Sequence, residues 1–518
     1  MEKLNIVLRS VFLASAISAL YACSEGSEAS TTTNPTIQAN QQLNIANSNA
    51  NSKVVAYLNS LDFQVPSVES ATLANLTGGT WPVTQVNIAF MKPHSTFNID
   101  TAKDSDLANS NTGLSFASDY TLGDLKAFIG QLKAKGITVY ISVGGWDYSC
   151  YVSGTNGTIT DYYNADLGGS NYCEPPQDGY IQADYNFDPT RFDFFPNPLD
   201  YAENGVPLFD KSLTNPDLQD TIAQAKQYIQ NWVDFAKYVG ASGVDLDYEE
   251  TYYADLSHVA SPYNTTGSYS IKFGSQKFAS ILYNLEQDAK ASGLGVSIAA
   301  VPVGSVNIDA DNGTNGQLNW GGNLKGIYYQ LESTSDVPTP SGLPAAATLF
   351  SNLSLIGVMT YDLDTTIMSG YCPYVFDGNQ LGFANNNTGN SNCILANQVK
   401  SYLTGFSSFL SQVNASNVPL LGGIETGKPA YPTGNTSNQT EYYNVPLKPG
   451  IADCSAAVVN GEAPSCIDQI KMSTPNGIIF WELNKPTTDL GYTGSFSNLT
   501  QSDLNSAATT TDVLNLFK

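Results

Sequence analysis

Gly243-Val244-Asp245-Leu246-Asp247-Tyr248-Glu249 sets three acids two residues apart within an apolar run. On a β-strand, alternate side chains share a face. Asp245, Asp247 and Glu249 therefore point one way, and Leu246 and Tyr248 the other. In a closed barrel one face is the interior and the other meets helices. The acids are expected inside, with Glu249 at the C-terminal mouth, where barrel enzymes keep their chemistry. A solvated edge with spaced acids is the plainer reading. It fits poorly, because Val244 and Leu246 flank the acids and the preceding helical stretch is strongly apolar on one face. Crowded carboxylates repel, so at least one is pushed to a raised pKa. A protonated acid beside a charged one is what acid–base chemistry needs.

Working outward, the 243–247 run is one of eight near-continuous apolar runs, at 54–58, 86–90, 137–143, 243–247, 295–301, 355–361, 418–424 and 477–481. Such runs mark parallel strands buried on both faces. Amphipathic helical patterns lie between several of them, at 122–133, 221–239, 278–291 and 395–413. The fold class is therefore α/β, a (β/α)8 TIM barrel with long loop insertions. A doubly wound open sheet is the competing architecture, and no glycine-rich phosphate loop follows the first run to support it. The segments 147–215, 303–345, 363–394 and 427–470 are long and rich in loop formers.

Composition narrows the chemistry. The chain has 518 residues, with 42% hydrophobic and 13% charged, enough for a large packed core. Its net charge of −25 argues against nucleic acid, whose phosphates demand Lys and Arg. The only histidines are His94 and His258. A multi-histidine metal site is nearly excluded, and neither residue is a good catalytic candidate. Acid–base work falls to carboxylates, Tyr or Lys.

Ser242-Gly243-Val244-Asp245-Leu246-Asp247-Tyr248-Glu249 resembles the catalytic signature of glycoside hydrolase family 18, the chitinases, in which acids stand at every second or third place. Ser242 stands where the family has its first Asp, and Tyr248 where many members have Trp. Three further landmarks follow the family's order: Ser142-Val143-Gly144-Gly145, Met359-Thr360-Tyr361-Asp362, and Trp481 at the end of the last strand. Tyr57 and Phe90 fall where the family has aromatics on the first two strands. The resemblance spans roughly residues 54–484.

The resemblance implies retaining, substrate-assisted hydrolysis with no metal or cofactor. Glu249 would be the general acid and then the base, its pKa raised by Asp247 and burial. The substrate's acetamido oxygen would attack the anomeric carbon. Asp247 would accept the acetamido N–H, and Asp245 would share a proton or hydrogen bond with Asp247. Tyr361 would position the acetamido oxygen. Ser142 would support Asp245, while Asp362 and Met359 would line the sugar pocket. Trp481 would pack on the apolar face of the sugar. Plainer readings stand beside these: Trp481 and Met359 also suit a core. Trp146, Tyr148 and Tyr151 could stack further sugars or pack a loop.

The N-terminus reads as an export signal over residues 1–22, with Lys3 and Arg9 before an apolar stretch too short to span a bilayer. Leu20-Tyr21-Ala22-Cys23 resembles a bacterial lipoprotein cleavage box, with Cys23 lipidated; an ordinary signal peptide cut near Ala22 is the alternative. Residues 23–52 lack large apolar side chains and read as a flexible linker to a catalytic domain over 53–518. The expected location is outside the cytoplasm, as an outer-membrane or cell-surface lipoprotein or a secreted protein. Membrane contact is expected only through Cys23. The other six cysteines fall in close pairs, so disulfides Cys150–Cys173, Cys372–Cys393 and Cys454–Cys466 are expected.

The expected partner is chitin or another N-acetylglucosamine-containing glycan, met by a monomer. An endo-β-N-acetylglucosaminidase cutting N-glycan cores would show the same acids. A non-catalytic chitin-binding lectin on the same barrel typically lacks the terminal acid, which Glu249 supplies here. A surface scaffold would leave the inward acids unexplained.

Overall fold

The computed structural model describes residues 52–145, 151–155, 158–163, 195–196, 198, 222–249, 268–301, 304–305, 324, 327–328, 331, 342–360, 391–425, 474, 476–484, 510–511 and 514. Within these, only the backbone is described for 151–163, 268–276, 391–401 and 425. The expected export signal, Cys23 and nearly all of the linker lie outside the described residues. So do Cys150, Cys173, Cys372, Cys454 and Cys466, and the side chain of Cys393.

Ten strands are described: β1 (Lys53–Asn59), β2 (Gln85–Met91), β3 (Thr138–Gly144), β4 (Tyr151–Thr155), β5 (Thr158–Tyr163), β6 (Gly243–Asp247), β7 (Gly295–Ala300), β8 (Leu355–Val358), β9 (Leu420–Glu425) and β10 (Gly477–Trp481). Eight of them close a barrel in the order β1-β10-β9-β8-β7-β6-β3-β2. Every barrel pairing is parallel. These eight strands are the eight apolar runs, so the chain folds as a (β/α)8 barrel. Parallel strands covered by helices bury both faces, and apolar runs satisfy both.

The helices are α1 (Pro66–Thr77), α2 (Leu122–Ala134), α3 (Ile222–Val239), α4 (Ser268–Ala291), α5 (Ala346–Ser351) and α6 (Ser391–Gln412). Thr121 starts α2 with a capping box: its hydroxyl accepts from Asp124 N at 3.2 Å, and Asp124 Oδ2 accepts from Thr121 N at 2.9 Å. Leu125, Phe128, Ile129 and Leu132 then form its buried stripe. Ala225, Ile229, Trp232, Val233 and Ala236 do the same for α3. Each Leu, Ile, Val or Phe among these contributes about 1.5–3 kcal/mol on burial.

Two helices and a hairpin depart from the sequence reading. α1 starts at Pro66, a residue suited to the first helical turn, and buries only Val68, Thr72 and Leu76. That stripe is too sparse to show as a period. α5 is only six residues long. β4 and β5 pair antiparallel apart from the barrel, within the stretch expected as loop.

Candidate active site

Register places the catalytic candidates. Asp245 lies beside Ser142 of β3 on one side and Ser297 of β7 on the other. Asp247 lies beside Gly144 and Ala299. Asp245 accepts three hydroxyl hydrogen bonds: from Tyr57 to Oδ2 at 2.9 Å, from Ser142 to Oδ2 at 2.8 Å and from Ser297 to Oδ1 at 2.5 Å. The donors come from β1, β3 and β7, so Asp245 points into the barrel. Its partners on the outward face, Val244 and Leu246, are fully buried under the helices.

Asp247 has the opposite environment. It is 4% exposed, and its Oδ1 is buried with no hydrogen-bond partner among the described residues. Burial raises the Asp245 carboxyl, against the hydroxyls of Ser297, Ser142 and Tyr57 and the amide of Asn87, which lower it. Asp247 is raised well above the usual carboxylate range by burial and then by the charge of Asp245. The two titrate as a pair. The hydroxyl donors favour the charged form of Asp245, and Asp247 Oδ1 has no such donor among the described residues.

Glu249 lies two residues beyond the end of β6 and is 8% exposed. Tyr248 between them faces outward as its alternation predicts. Its ring stacks on Phe278 of α4 at 4.4 Å and 17° and meets Phe195 edge-on at 4.9 Å. Ser242, at the other end of the strand, donates its N–H to Val139 at 2.6 Å and accepts from Gly295 at 3.0 Å. It serves the lower hydrogen bonding of the barrel, away from the mouth.

Tyr57, Phe90 and Trp481 form an aromatic cluster beside the acids. Phe90 stacks on Trp481 at 5.4 Å and 26°, and Tyr57 lies 5.5 Å from Trp481 and 6.3 Å from Phe90. Tyr57 is buried, whereas Phe90 and Trp481 are only partly so. Phe90 and Trp481 thus keep some accessible surface.

Gly144 and Gly145 explain their motif. Both have positive φ, 105° and 82°. A Cβ on Gly144 would lie 2.1 Å from the Asp247 carbonyl oxygen, and one on Gly145 2.7 Å from the Phe90 ring. Gly145 N also donates to that Asp247 oxygen at 2.9 Å. Only glycine lets the chain turn here between Asp247 and the aromatic cluster.

Met359 is 8% exposed and packs with the hydrophobic core at the end of β8. The next residue, Thr360, ties β8 to β9: its hydroxyl donates to Gly423 O at 2.7 Å and accepts from Gly423 N at 3.0 Å. Tyr361, Asp362, Trp146 and Tyr148 lie outside the described residues, as does the side chain of Tyr151.

Sequence reading missed Ser297, a lone hydroxyl whose role appears only through its register opposite Asp245. It also missed a second acid pair. Asp62, in the 3-10 turn Ser60–Gln64, is raised well above the usual carboxylate range by burial and then by Glu482. Asn484 Nδ2 donates to Asp62 Oδ2 at 3.0 Å and to Thr72 Oγ1 at 2.8 Å. This fastens the segment after β10 to α1.

The arrangement brings two buried acids with raised carboxyl pKa values and a third carboxylate to one strand end beside an aromatic cluster. It suits acid–base chemistry on a polar molecule with one apolar face. No family of known proteins matches the sequence, and no curated protein does. Among solved structures, the chain is similar to a GH18 chitinase from Pseudoalteromonas aurantia, at 15% identity and a TM-score of 0.36, over 89% of this chain and 100% of that one. It is similar to the second catalytic domain of a Group II chitinase from Ostrinia furnacalis, at 14% identity and a TM-score of 0.39, over 90% and 97% of the two chains. A pneumococcal virulence factor described for N-glycan recognition and hydrolysis is similar at 12% identity and a TM-score of 0.38, over 91% and 84%. These neighbours are glycoside hydrolases.

Proposed function

We propose that this chain is a chitinase that hydrolyses β-1,4 bonds between N-acetylglucosamine units with retention of configuration. The observation that carries the reading is the buried Oδ1 of Asp247, without a partner among the described residues, beside an Asp245 that accepts three hydroxyl hydrogen bonds. A buried polar atom without a partner is costly. An acetamido N–H supplies the donor it lacks.

In this reading Glu249 protonates the glycosidic oxygen as the bond to the anomeric carbon breaks. The acetamido oxygen of the same sugar attacks that carbon and forms an oxazolinium ion. Asp247 accepts the acetamido N–H, and the negative charge of the Asp245–Asp247 pair offsets the positive charge that develops. Asp245, held by Tyr57, Ser142 and Ser297, fixes the charge of the pair. Water, deprotonated by Glu249, opens the ring and returns the acetamido group. Tyr361 would position the acetamido oxygen, and Asp362 would line the pocket. Trp481, with Phe90 stacked against it, offers the apolar face on which the sugar ring rests.

The same acids would serve an endo-β-N-acetylglucosaminidase, so the substrate is tested directly. Chitin oligomers and a high-mannose glycoprotein are offered to the wild type and to Glu249→Gln. Cleavage of the oligomers, abolished in the variant, is expected. Trimming of the glycoprotein without oligomer cleavage would move the assignment to N-glycan cores, and activity surviving Glu249→Gln would remove the mechanism. We further propose that Cys23 carries a lipid that anchors the barrel outside the cytoplasm through the 23–52 linker.

A further inference from the structure

Phe195 lies in the sequence stretch between β5 and α3, far from any catalytic motif, yet it is fully buried. Its ring meets Tyr248 edge-on at 4.9 Å and Trp232 of α3 at 6.1 Å and 85°. Trp232 is itself fixed, donating Nε1–H to Pro93 O at 2.7 Å. The tip of the Phe195 ring also enters the hollow left by Gly144: a Cβ there would lie 2.4 Å from Phe195 Cζ and 2.1 Å from the Asp247 carbonyl oxygen. Phe195 therefore touches both sides of the β3–β6 seam at the level of Asp247.

Tyr248 cannot move without moving its neighbours in the chain, Asp247 and Glu249. Its ring is held between Phe278, stacked at 4.4 Å, and Phe195. Across the seam, the Asp247 carbonyl accepts from Gly145 N at 2.9 Å. We infer that Phe195 is a positioning residue, an apolar wedge that fixes the Asp247-Tyr248-Glu249 strand end through Tyr248 and Gly144 without touching substrate. The inference rests on the proposed roles of Asp247 and Glu249. Phe195 thereby braces the acids from the helix side.

Two amides on the same seam separate positioning from general stability. Gly145 N bonds to Asp247 O at the mouth, and Ser242 N bonds to Val139 O at the opposite end. In Phe195→Ala, hydrogen exchange at Gly145 is expected to speed about tenfold or more while Ser242 keeps its wild-type rate. With chitin oligomers, kcat is expected to fall about ten- to a hundredfold with KM within about twofold, because a displacement of about 1 Å at reacting groups costs on that order. Phe195→Leu, which refills most of the volume, should stay within about threefold of wild type in kcat and in Gly145 exchange. It carries the amide test if Phe195→Ala does not fold: Gly145 must still exchange faster relative to Ser242 than in wild type. Unchanged Gly145 exchange, equal acceleration at both amides, or an unchanged kcat in Phe195→Ala would overturn the inference. Should the wild type cleave no oligomer, the proposed function fails, while the two amides still decide the role of Phe195.

Discussion

The Tyr57 hydroxyl donates to Asp245 Oδ2 at 2.9 Å while its ring lies 5.5 Å from Trp481. One side chain thus joins Asp245 at the base of the site to the aromatic cluster at its side. Tyr57→Phe keeps the ring and removes the hydroxyl. That hydroxyl favours the charged form of Asp245, so its loss raises the Asp245 carboxyl further. The acid limb of the kcat/KM profile on chitin oligomers is expected to move up by about one pH unit. A limb that stays in place would show that Asp245 does not govern the pair.

Gly145→Ala places a Cβ 2.7 Å from the Phe90 ring, on a backbone with φ of 82°. Phe90 must turn, and its stacking on Trp481 is lost. KM for oligomers is expected to rise about tenfold, since a stacked sugar contributes about 1–1.5 kcal/mol. Unchanged KM would mean that the aromatic cluster is core packing and not a sugar surface.

Glu286 on α4 is a buried acid outside the site. It is 4% exposed; Oε2 accepts from Asn352 Nδ2 at 3.2 Å, and Oε1 has no partner among the described residues. Burial pushes its carboxyl up to about 8, against Asn352 and Lys290, which lower it. With the folded value above the unfolded one, the stability it contributes is complete below about pH 4.5 and is lost as pH rises through 8. Asp62, Asp245 and Asp247 are raised as well and act in the same direction. Urea unfolding should therefore show the wild type more stable at pH 4.5 than at 8.5. Glu286→Gln should gain about 1–3 kcal/mol at pH 8.5 and almost nothing at pH 4.5. A gain independent of pH would show that Glu286 is not ionising in the fold.

Cys23→Ser should move the protein from the membrane fraction to the soluble exported fraction. Unchanged fractionation would remove the lipid anchor from the proposal.

The barrel was legible because its strands are buried on both faces, so each of the eight reads as a run of apolar residues. The inward row of Asp245 and Asp247 was legible because strand alternation needs no knowledge of neighbours. Ser142 was reached through the family resemblance, and its bond to Asp245 at 2.8 Å follows from the β3–β6 register. Ser297 makes an equivalent bond, but a serine in an apolar run carries no mark of what stands opposite it. Phe195 was hidden for the same reason: its partners Gly144, Trp232 and Tyr248 are distant in sequence and meet only when β3, α3 and β6 pack. α1 escaped because its buried stripe is thin and includes Thr72.

The central claim is that the substrate's own acetamido group, held by Asp247, is the nucleophile and Glu249 the acid. Proton NMR of the reducing end released from a chitin oligomer, read before mutarotation, tests it most directly. The β-anomer is expected from the wild type and no product from Glu249→Gln. Release of the α-anomer, or β-anomer at an undiminished rate from the variant, would contradict it.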